Sequence, residues 1–434
     1  MKISLFKGIL FGVFGISALI GLFVFATYTN DGVGSSTGPV VIWGILPSAN
    51  MEAVLSDAAQ ADTAMEGVSY VQKDPETLSA DLAIAIATGA APDLILASQE
   101  QLSALAKFIM PIDPGTISAR SFASTFVEGG RIFTAPDGAG YYGLPFLVDP
   151  LLLYSNRSIL SSSGIARPPA TWEALTGLVP SVAALSPSRQ ITRGLIGLGS
   201  YTNVRNARAI LSALFLQQGV PLSAYSAGNG NLSANLGVSA ASGPPPGPAV
   251  LGFYTQFSDP SKVSYTWNTS LPDSQRAFLA GDLALYLGYA SEARYLRSAN
   301  PNLEFEVSLL PQPATASIKR AYGLVYALMI PRGAANPEGA FQAAVFLTGA
   351  AGTAALHTGL APATLTELSA PPDDPLAEVA YAETLYTRGW LSPSPADTDA
   401  VFSAMITDVI SGRSTPEAAL ASAERSLTSL LQKK

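Results

Sequence analysis

Short apolar runs alternate with amphipathic segments near the start of the chain, and this alternation constrains the fold most. The predicted order is strand, helix, strand, helix and strand, at residues 39–44, 48–64, 68–71, 74–89 and 92–96. In the second helix Leu78, Leu82 and Ile86 recur at helical spacing, and Gly89 is expected to end it. Because strand–helix–strand units form parallel sheets covered by their helices, the sequence predicts an α/β lobe.

An uncharged, mostly apolar stretch precedes this region. No charged residue lies between Lys7 and Asp31, and a helix of about twenty apolar residues spans a bilayer core. The lysines before the stretch predict a cytoplasmic N-terminus at 1–7, an anchor at 8–29 and a linker at 30–38. The soluble part is then extracytoplasmic, tethered to the cell membrane. A cleaved signal, giving a secreted or periplasmic protein, is the alternative; the stretch is long for one and no Ala-x-Ala site follows it.

The composition excludes several kinds of chemistry. The chain has no cysteine and one histidine, His357. This excludes disulfides, lipidation at a lipobox and zinc sites of the Cys/His type. Outside the predicted linker, no Gly-x-Ser-x-Gly sequence supplies a serine nucleophile for that histidine, which is expected near a helix end at Gly359. The net charge is −8 and basic residues are scattered singly, so we expect no nucleic-acid partner. Catalysis by carboxylates alone stays open.

The remaining length is too great for one small core and predicts two lobes. The apolar, extended segment at 141–156, interrupted by Pro145 and Pro150, suits a crossing from one lobe to the other. Thr171 is placed to cap a helix that begins at Trp172, whose ring is expected to pack at that helix start. Further along, the pattern predicts a helix at 275–279 that stops near Gly281.

Several motifs follow one another in a recognisable order. They are VVIW at 40–43, GAAPDL at 89–94, YGLPF at 142–146, YSNR at 154–157, PATWEAL at 169–175 and AFLAGDLAL at 277–285. Together, and with Asp149 shortly after the third motif, they resemble the extracellular solute-binding proteins of ABC importers, in the maltose and oligosaccharide-binding class. The resemblance runs from about Pro39 to near the C-terminus.

This resemblance implies a two-lobed α/β fold of the periplasmic-binding-protein type II, in which each lobe is a mostly parallel sheet flanked by helices. Hinge crossings near 145–150, 309–313 and 361–362 divide the chain into discontinuous lobes. Lobe 1 is expected at 39–147 and 314–356, and lobe 2 at 148–313 and 357–434. The implied function is capture of a sugar-like solute by a monomer, without catalysis or cofactor. Permease subunits and their ATPase are the implied partners.

Sugars need aromatic rings for their C–H faces and polar partners for their hydroxyls. The rings are expected from residues at strand ends or nearby loops, and the acids at positions where relatives meet hydroxyls. The predicted site residues are Trp43, Glu100, Asp149, Tyr201, Trp267, Tyr289 and Tyr322. Ala97 and the pair Tyr289-Ala290 stand where sugar-binding relatives often carry aromatic or tryptophan-bearing segments, which argues against maltose-type specificity. Trp43 in a core, or Asp149 paired across the hinge, are the plainer interpretations.

Two other functions fit the same sequence. An exported glycoside hydrolase would use Asp149 with a second acid about 5 to 10 Å away. A surface receptor would instead signal a bound solute to a membrane partner.

Overall fold

The computed structural model describes residues 37–136, 138–226, 231–237 and 245–433. The predicted cytoplasmic N-terminus at 1–7, the anchor at 8–29 and most of the linker at 30–38 lie outside the described residues. Within the described part, no single helix has both the length and the apolar character needed to cross a membrane. Two shorter helices, Pro337–Gly349 and Ala351–Thr358, meet that test only together, and they are bent by 73°.

Thirteen strands are described. They are β1 Val40–Gly44, β2 Val68–Gln72, β3 Leu94–Ser98, β4 Leu144–Asn156, β5 Ala184–Leu185, β6 Ile191–Ile196, β7 Ser223–Tyr225, β8 Leu232–Ala234, β9 Leu283–Tyr289, β10 Phe305–Ser308, β11 Ala321–Met329, β12 Ala361–Pro362 and β13 Thr387–Arg388. Eight of them follow one another through the main sheet in the order β2-β1-β3-β11-β4-β9-β6-β5, while β7 and β8 form a separate hairpin.

The α-helices pack around these strands. They are α1 Ser48–Ala61, α2 Leu78–Thr88, α3 Gln99–Leu105, α4 Ala119–Thr125, α5 Arg157–Ser162, α6 Trp172–Gly177, α7 Val179–Val182, α8 Ala207–Gln217, α9 Pro246–Thr255, α10 Ser274–Ala280, α11 Glu292–Ala299, α12 Pro337–Gly349, α13 Ala351–Thr358, α14 Leu365–Leu368, α15 Pro375–Thr384, α16 Pro395–Ile410 and α17 Pro416–Leu431. Short 3-10 helices lie at Thr63–Gly67, Ala106–Phe108, Glu128–Phe133 and Gln256–Ser258.

The local sequence signals act where they are expected. Gly89 and Gly281 end α2 and α10 with φ of 71° and 82°, a left-handed conformation that glycine adopts without a Cβ penalty. The Thr171 hydroxyl accepts a hydrogen bond from the Ala174 amide at 3.2 Å and so caps α6. Trp172 is buried and donates from Nε1 to Gln217 Oε1 at 2.7 Å. These predictions from the sequence are confirmed.

The first strands pair as the alternating pattern predicts. β1 lies between β2 and β3, and both neighbours run parallel to it. Parallel pairing needs a long crossover, and α1 and α2 supply the two crossovers. The carboxyl ends of these strands therefore meet at one edge of the sheet.

The prediction that each lobe is mostly parallel is wrong for the second lobe. There β6 and β9 are parallel, but β9 and β10 both run antiparallel to β4, and β5 runs antiparallel to β6. β11 also lies antiparallel to both β3 and β4 in the first lobe. The reason lies in the crossings: β4 leaves the first lobe and β11 brings the chain back, so the two long strands run in opposite directions.

β4 joins the two lobes. Its thirteen residues are all buried. The first half, from Leu144 to Pro150, pairs with β11, whereas residues from Leu151 onward pair with β9 and β10. The crossing predicted at 145–150 therefore coincides with a continuous strand that belongs to both lobes.

Two separate hydrophobic cores define the lobes in space. One core, the first lobe, takes buried residues from Val40 to Val148 and again from Val325 onward. The other, the second lobe, takes residues from Leu151 to Tyr322 and returns at Leu376. Residues 360–368 pack with the first core, whereas the sequence assigned everything after 357 to lobe 2. The exact lobe ranges stay a prediction.

Candidate functional site

An arginine at the start of α8 connects the two lobes. Arg208 donates from Nε to Glu100 Oε1 at 3.1 Å and from Nη2 to Glu100 Oε2 at 3.0 Å. Its Nη1 donates to Asp399 Oδ2 at 2.6 Å and to the Pro395 carbonyl at 3.0 Å. Glu100 belongs to the first lobe, and Arg208 and Asp399 to the second. The guanidinium is therefore held by carboxylates from both sides of the cleft, in the bidentate geometry that makes such pairs strong.

The first turn of α3 fixes Glu100 in place. Ser98 ends β3 and caps α3 in a capping box with Gln101. Gln99 ties that turn to β11, since its Nε2 donates to the Gly323 carbonyl at 3.0 Å and its Oε1 accepts from the Val325 amide at 2.6 Å. Glu100 is thus presented at the carboxyl edge of the sheet, where ligands of α/β folds gather.

Two tyrosines complete the hydrogen bonding of this cluster. The Tyr322 hydroxyl donates to Glu100 Oε1 at 2.9 Å, and the Tyr201 hydroxyl donates to Asp399 Oδ1 at 2.5 Å. Burial raises the pKa of both phenols, and the neighbouring carboxylate of each raises it further. Both therefore stay protonated and act as donors.

Tyr289 and Asp149 lie beside this cluster at the junction of β9 and β4. Burial is the largest cause of the raised pKa of Tyr289, and the electrostatic influence of Tyr322 and Glu100 raises this pKa further. Asp149 is buried and accepts from the Ser291 amide at 3.0 Å and from the Ser291 hydroxyl at 2.6 Å. Burial raises the pKa of Asp149 to about 7, against the lowering effect of the Ser291 hydrogen bonds. Its partner is a serine on the second lobe rather than a cation.

The two predicted tryptophans lie elsewhere. Trp267 is only 1% exposed in the core of the second lobe, and its Nε1 donates to Asn203 Oδ1 at 3.3 Å. Its ring packs into the space that Gly194 and Gly197 leave without side chains. Trp267 therefore has no ring face open to a ligand in this arrangement, and its role in binding stays a prediction. Trp43, at the end of β1, is partly exposed, and Lys73 Nζ lies 3.7 Å from its ring centroid.

The polar cluster contains three of the seven predicted residues, namely Glu100, Tyr201 and Tyr322, and Tyr289 and Asp149 lie beside it. Sequence reasoning missed Arg208 and Asp399. The signal for Arg208 was present, because Arg208 is the one charged residue of α8. The other residues of this helix, up to Gln217, are apolar or uncharged and polar. Asp399, within PADTDA, carried no comparable signal.

The cluster offers hydroxyl donors, carboxylate acceptors and one cation between the lobes. Such a set suits recognition of a polar molecule with several hydroxyls. Among the described ranges, no group of His, Asp or Glu side chains could hold a metal ion. His357 lies near the end of α13 as expected, with Nε2 2.7 Å from Asp57 Oδ2.

Comparisons with known proteins agree with this geometry. The family model described as bacterial extracellular solute-binding protein matches residues 51–354. No curated protein matches the sequence significantly. A cyclo/maltodextrin-binding protein complexed with maltotetraose is similar in structure, with a TM-score of 0.72, 16% identity, and coverage of 93% of this chain and 99% of that one.

Two further solved structures are similar over most of their length. The cyclic alpha-maltosyl-1,6-maltose binding protein from Arthrobacter globiformis gives a TM-score of 0.72 at 15% identity, covering 92% of this chain and 100% of that one. The sugar-binding protein MalE from Xanthomonas citri gives 0.69 at 17% identity, covering 91% and 98%. At these identities the likeness establishes the fold, and it confirms the two-lobed periplasmic-binding-protein architecture.

Proposed function

The chain belongs to the family of bacterial extracellular solute-binding proteins, and from that premise we propose that it captures a sugar or oligosaccharide between its lobes for an ABC importer. The observation that carries the proposal is the polar cluster itself. Arg208 and Glu100 approach from opposite lobes. The Tyr322 hydroxyl donates to Glu100, and the Tyr201 hydroxyl donates to Asp399, the other carboxylate paired with Arg208. The lobes meet at groups that suit hydroxyl-rich molecules.

Sugar hydroxyls both donate and accept hydrogen bonds, as these partners require. A hydroxyl that accepts from Arg208 or donates to Glu100 keeps the buried groups satisfied when the direct pair separates. An unpaired buried charge would be costly. The ligand therefore replaces contacts that the lobes make with each other here, and Tyr289 adds a ring beside the same cluster.

Several similar structures are described with carbohydrates. Their printed descriptions name maltotetraose, alpha-D-tagatose and cycloalternan. These ligands belong to those proteins, and their range from a monosaccharide to a cyclic oligosaccharide supports the chemical class rather than one sugar. We propose the class alone for this chain.

The remaining parts of the proposal concern where the protein is located and which partners it has. The apolar segment at 8–29 tethers the protein to the cell membrane, with the lobes outside the cytoplasm, and a monomer presents its cargo to permease subunits with their ATPase. Trp43 contributes to the cleft from the end of β1. We further propose that the protein binds without catalysis, in keeping with its membership of a solute-binding family.

A thermal-shift screen of the full-length protein tests this function. The panel contains monosaccharides, linear and cyclic oligosaccharides, and amino acids as the unrelated class. A sugar at about 100 times its Kd should add about 2.7 kcal/mol to stability and raise Tm visibly. An amino-acid hit without any sugar hit would overturn the carbohydrate class.

A matched pair of tyrosine variants then locates the site. Tyr322→Phe removes the hydroxyl that donates to Glu100, whereas Tyr295→Phe removes a hydroxyl from a ring that is 53% exposed on α11. We expect sugar affinity to fall in the first variant and to stay unchanged in the second. Equal affinities in both would keep the function but move the ligand away from the cluster.

A further inference from the structure

A second cavity lies between the lobes, apart from the polar cluster. Its volume is about 460 Å³, within the range of small-molecule sites. The first lobe contributes the 3-10 helix at Glu128–Phe133, and the second contributes the end of α8 and the segment after β13. We call it the arginine cavity, because Arg131, Arg320 and Arg388 all line it.

The charges around this cavity are not balanced. Against the three arginines, Glu128 is the one acid in the lining, and it accepts from Arg388 Nη2 at 2.5 Å. Burial lowers the pKa of Arg388; Glu128 opposes this change, and the like charges of Arg320 and Arg131 reinforce it. The three cations are therefore close enough to repel one another, which is unfavourable without an anion between them.

Among the described residues, most of these guanidinium donors have no protein acceptor. Arg320 Nη1 donates to the Leu216 carbonyl at 3.1 Å, and Arg388 Nη1 to the Thr387 carbonyl at 2.9 Å. The guanidinium of Arg131 makes no hydrogen bond with any residue that the structure describes. Each guanidinium carries five N–H donors in a fork that matches an oxyanion. The cavity thus offers many unused donors of one kind.

Much of the rest of the lining is apolar. Trp390 is buried, held by a hydrogen bond from its Nε1 to Ser212 Oγ at 2.9 Å, and Leu216, Val220 and Ile132 lie around the same space. An inorganic ion would leave this wall uncovered. A molecule with both an oxyanion and an apolar body would use the arginines and the wall together.

We propose that the arginine cavity binds a small organic anion, in which an oxyanion group is attached to an apolar body. The oxyanion lies among the three guanidinium groups and the apolar body lies toward Trp390. Because both lobes contribute to the lining, the site is complete only when they stand in this relative position. The proposal does not depend on what the polar cluster binds.

Isothermal titration of the full-length protein tests it with four probes. Phenyl phosphate carries both features, benzoate replaces the phosphate by a carboxylate, inorganic phosphate lacks the ring and phenol lacks the charge. We expect phenyl phosphate or benzoate to bind at least about tenfold more tightly than either single-feature probe, as charge-assisted hydrogen bonds suggest. Inorganic phosphate binding as tightly as both would overturn the organic part of the proposal, and absence of binding by all charged probes would overturn the whole.

Two variants place the binding. Arg131→Gln removes one fork without breaking a described hydrogen bond, and Arg120→Gln removes an exposed arginine of α4 outside the lining. Affinity for the tighter organic anion should fall about tenfold or more in the first variant alone. If Arg131→Gln does not fold, Arg131→Lys keeps the charge and loses the fork, and it should still weaken binding. Unchanged affinity in the folded Arg131 variant contradicts the site.

Discussion

The polar cluster and the arginine cavity lie at the same boundary between the lobes, yet they hold their cations in opposite ways. Arg208 is bound by two carboxylates and a carbonyl, whereas Arg131 has no described acceptor for its guanidinium. The cluster is therefore satisfied within the protein, and the lobes close it by themselves. The cavity holds three arginines against one acid, and this excess of positive charge favours a bound anion. In one region the acids pair with the arginine, whereas in the other the arginines outnumber the acids.

Removing the acid from the buried pair should have the largest effect on stability. Glu100→Gln leaves Arg208, whose side chain is 17% exposed, with Asp399 as its remaining carboxylate. We expect the free energy of unfolding to fall by about 3 kcal/mol, because the buried guanidinium loses its bidentate partner and keeps only Asp399, whose side chain is 48% exposed. Urea denaturation measures the change. A loss no greater than that of the exposed pair discussed below would contradict the contrast between the two regions.

The pH dependence of stability tests the acid next to the cluster. The pKa of Asp149 is raised to about 7 in the folded protein, above its ordinary value of about 3.9. The folded protein therefore favours the protonated carboxyl of Asp149. The stability that this carboxyl gives the fold is present at low pH and is lost as the pH rises through 7. Between pH 5 and pH 8 the ionisation of this group alone should lower the free energy of unfolding by about 2 kcal/mol.

Asp149→Asn is the variant that isolates this effect. An amide can keep the hydrogen bond from Ser291 without titrating, so the difference in stability between variant and native protein should shift in favour of the variant from pH 5 to pH 8. Urea midpoints at the two pH values provide the measurement. Parallel pH profiles would show that Asp149 ionises without cost.

The ion pair at the arginine cavity should contribute much less. Glu128, 58% exposed, pairs with Arg388, and exposed pairs are worth about 0 to 1 kcal/mol. Glu128→Gln should therefore lower the free energy of unfolding by less than about 1 kcal/mol, while leaving the cavity more positive. A loss comparable to that of Glu100→Gln would mean that both regions are held by their acids in the same way.

The smallest effect is expected at Arg131. Because its guanidinium makes no described hydrogen bond and faces two like charges, Arg131→Gln should change stability by no more than about 0.5 kcal/mol. Any gain should shrink as salt screens the repulsion. Denaturation at two ionic strengths checks both statements. A clear loss of stability would show that Arg131 supports the fold rather than a ligand.

Much of the first lobe, together with a helix cap in the second lobe, could be predicted from local sequence. The strand and helix order up to Ser98, the stop of α2 at Gly89 and the cap at Thr171 depend on periodicity and on residues a few positions apart. The antiparallel pairing around β4 could not be predicted in this way. It depends on which strand returns across the hinge, and β4 and β11 are far apart in the chain.

The candidate site shows the same difference between what local sequence predicts and what distant contacts decide. Glu100, Tyr289 and Tyr322 were predicted because they follow or lie in recognisable strands and motifs, and the structure brings them together. Arg208 was not predicted, since its role depends on a partner 108 residues away. Trp267 was predicted to face a ligand, whereas its ring here fills the space beside Gly194, which exists only in the folded lobe.

The sequence by itself determined the α/β elements, their order, their boundaries at Gly89 and Gly281, and the family to which the chain belongs. These features follow from backbone preferences and from the periodic burial of apolar side chains, both of which act over short distances. Only the tertiary structure decided which charges would be paired. Glu100 meets Arg208, while Arg131 has no acceptor among the described residues, because which charges meet depends on burial and on neighbours supplied by the other lobe.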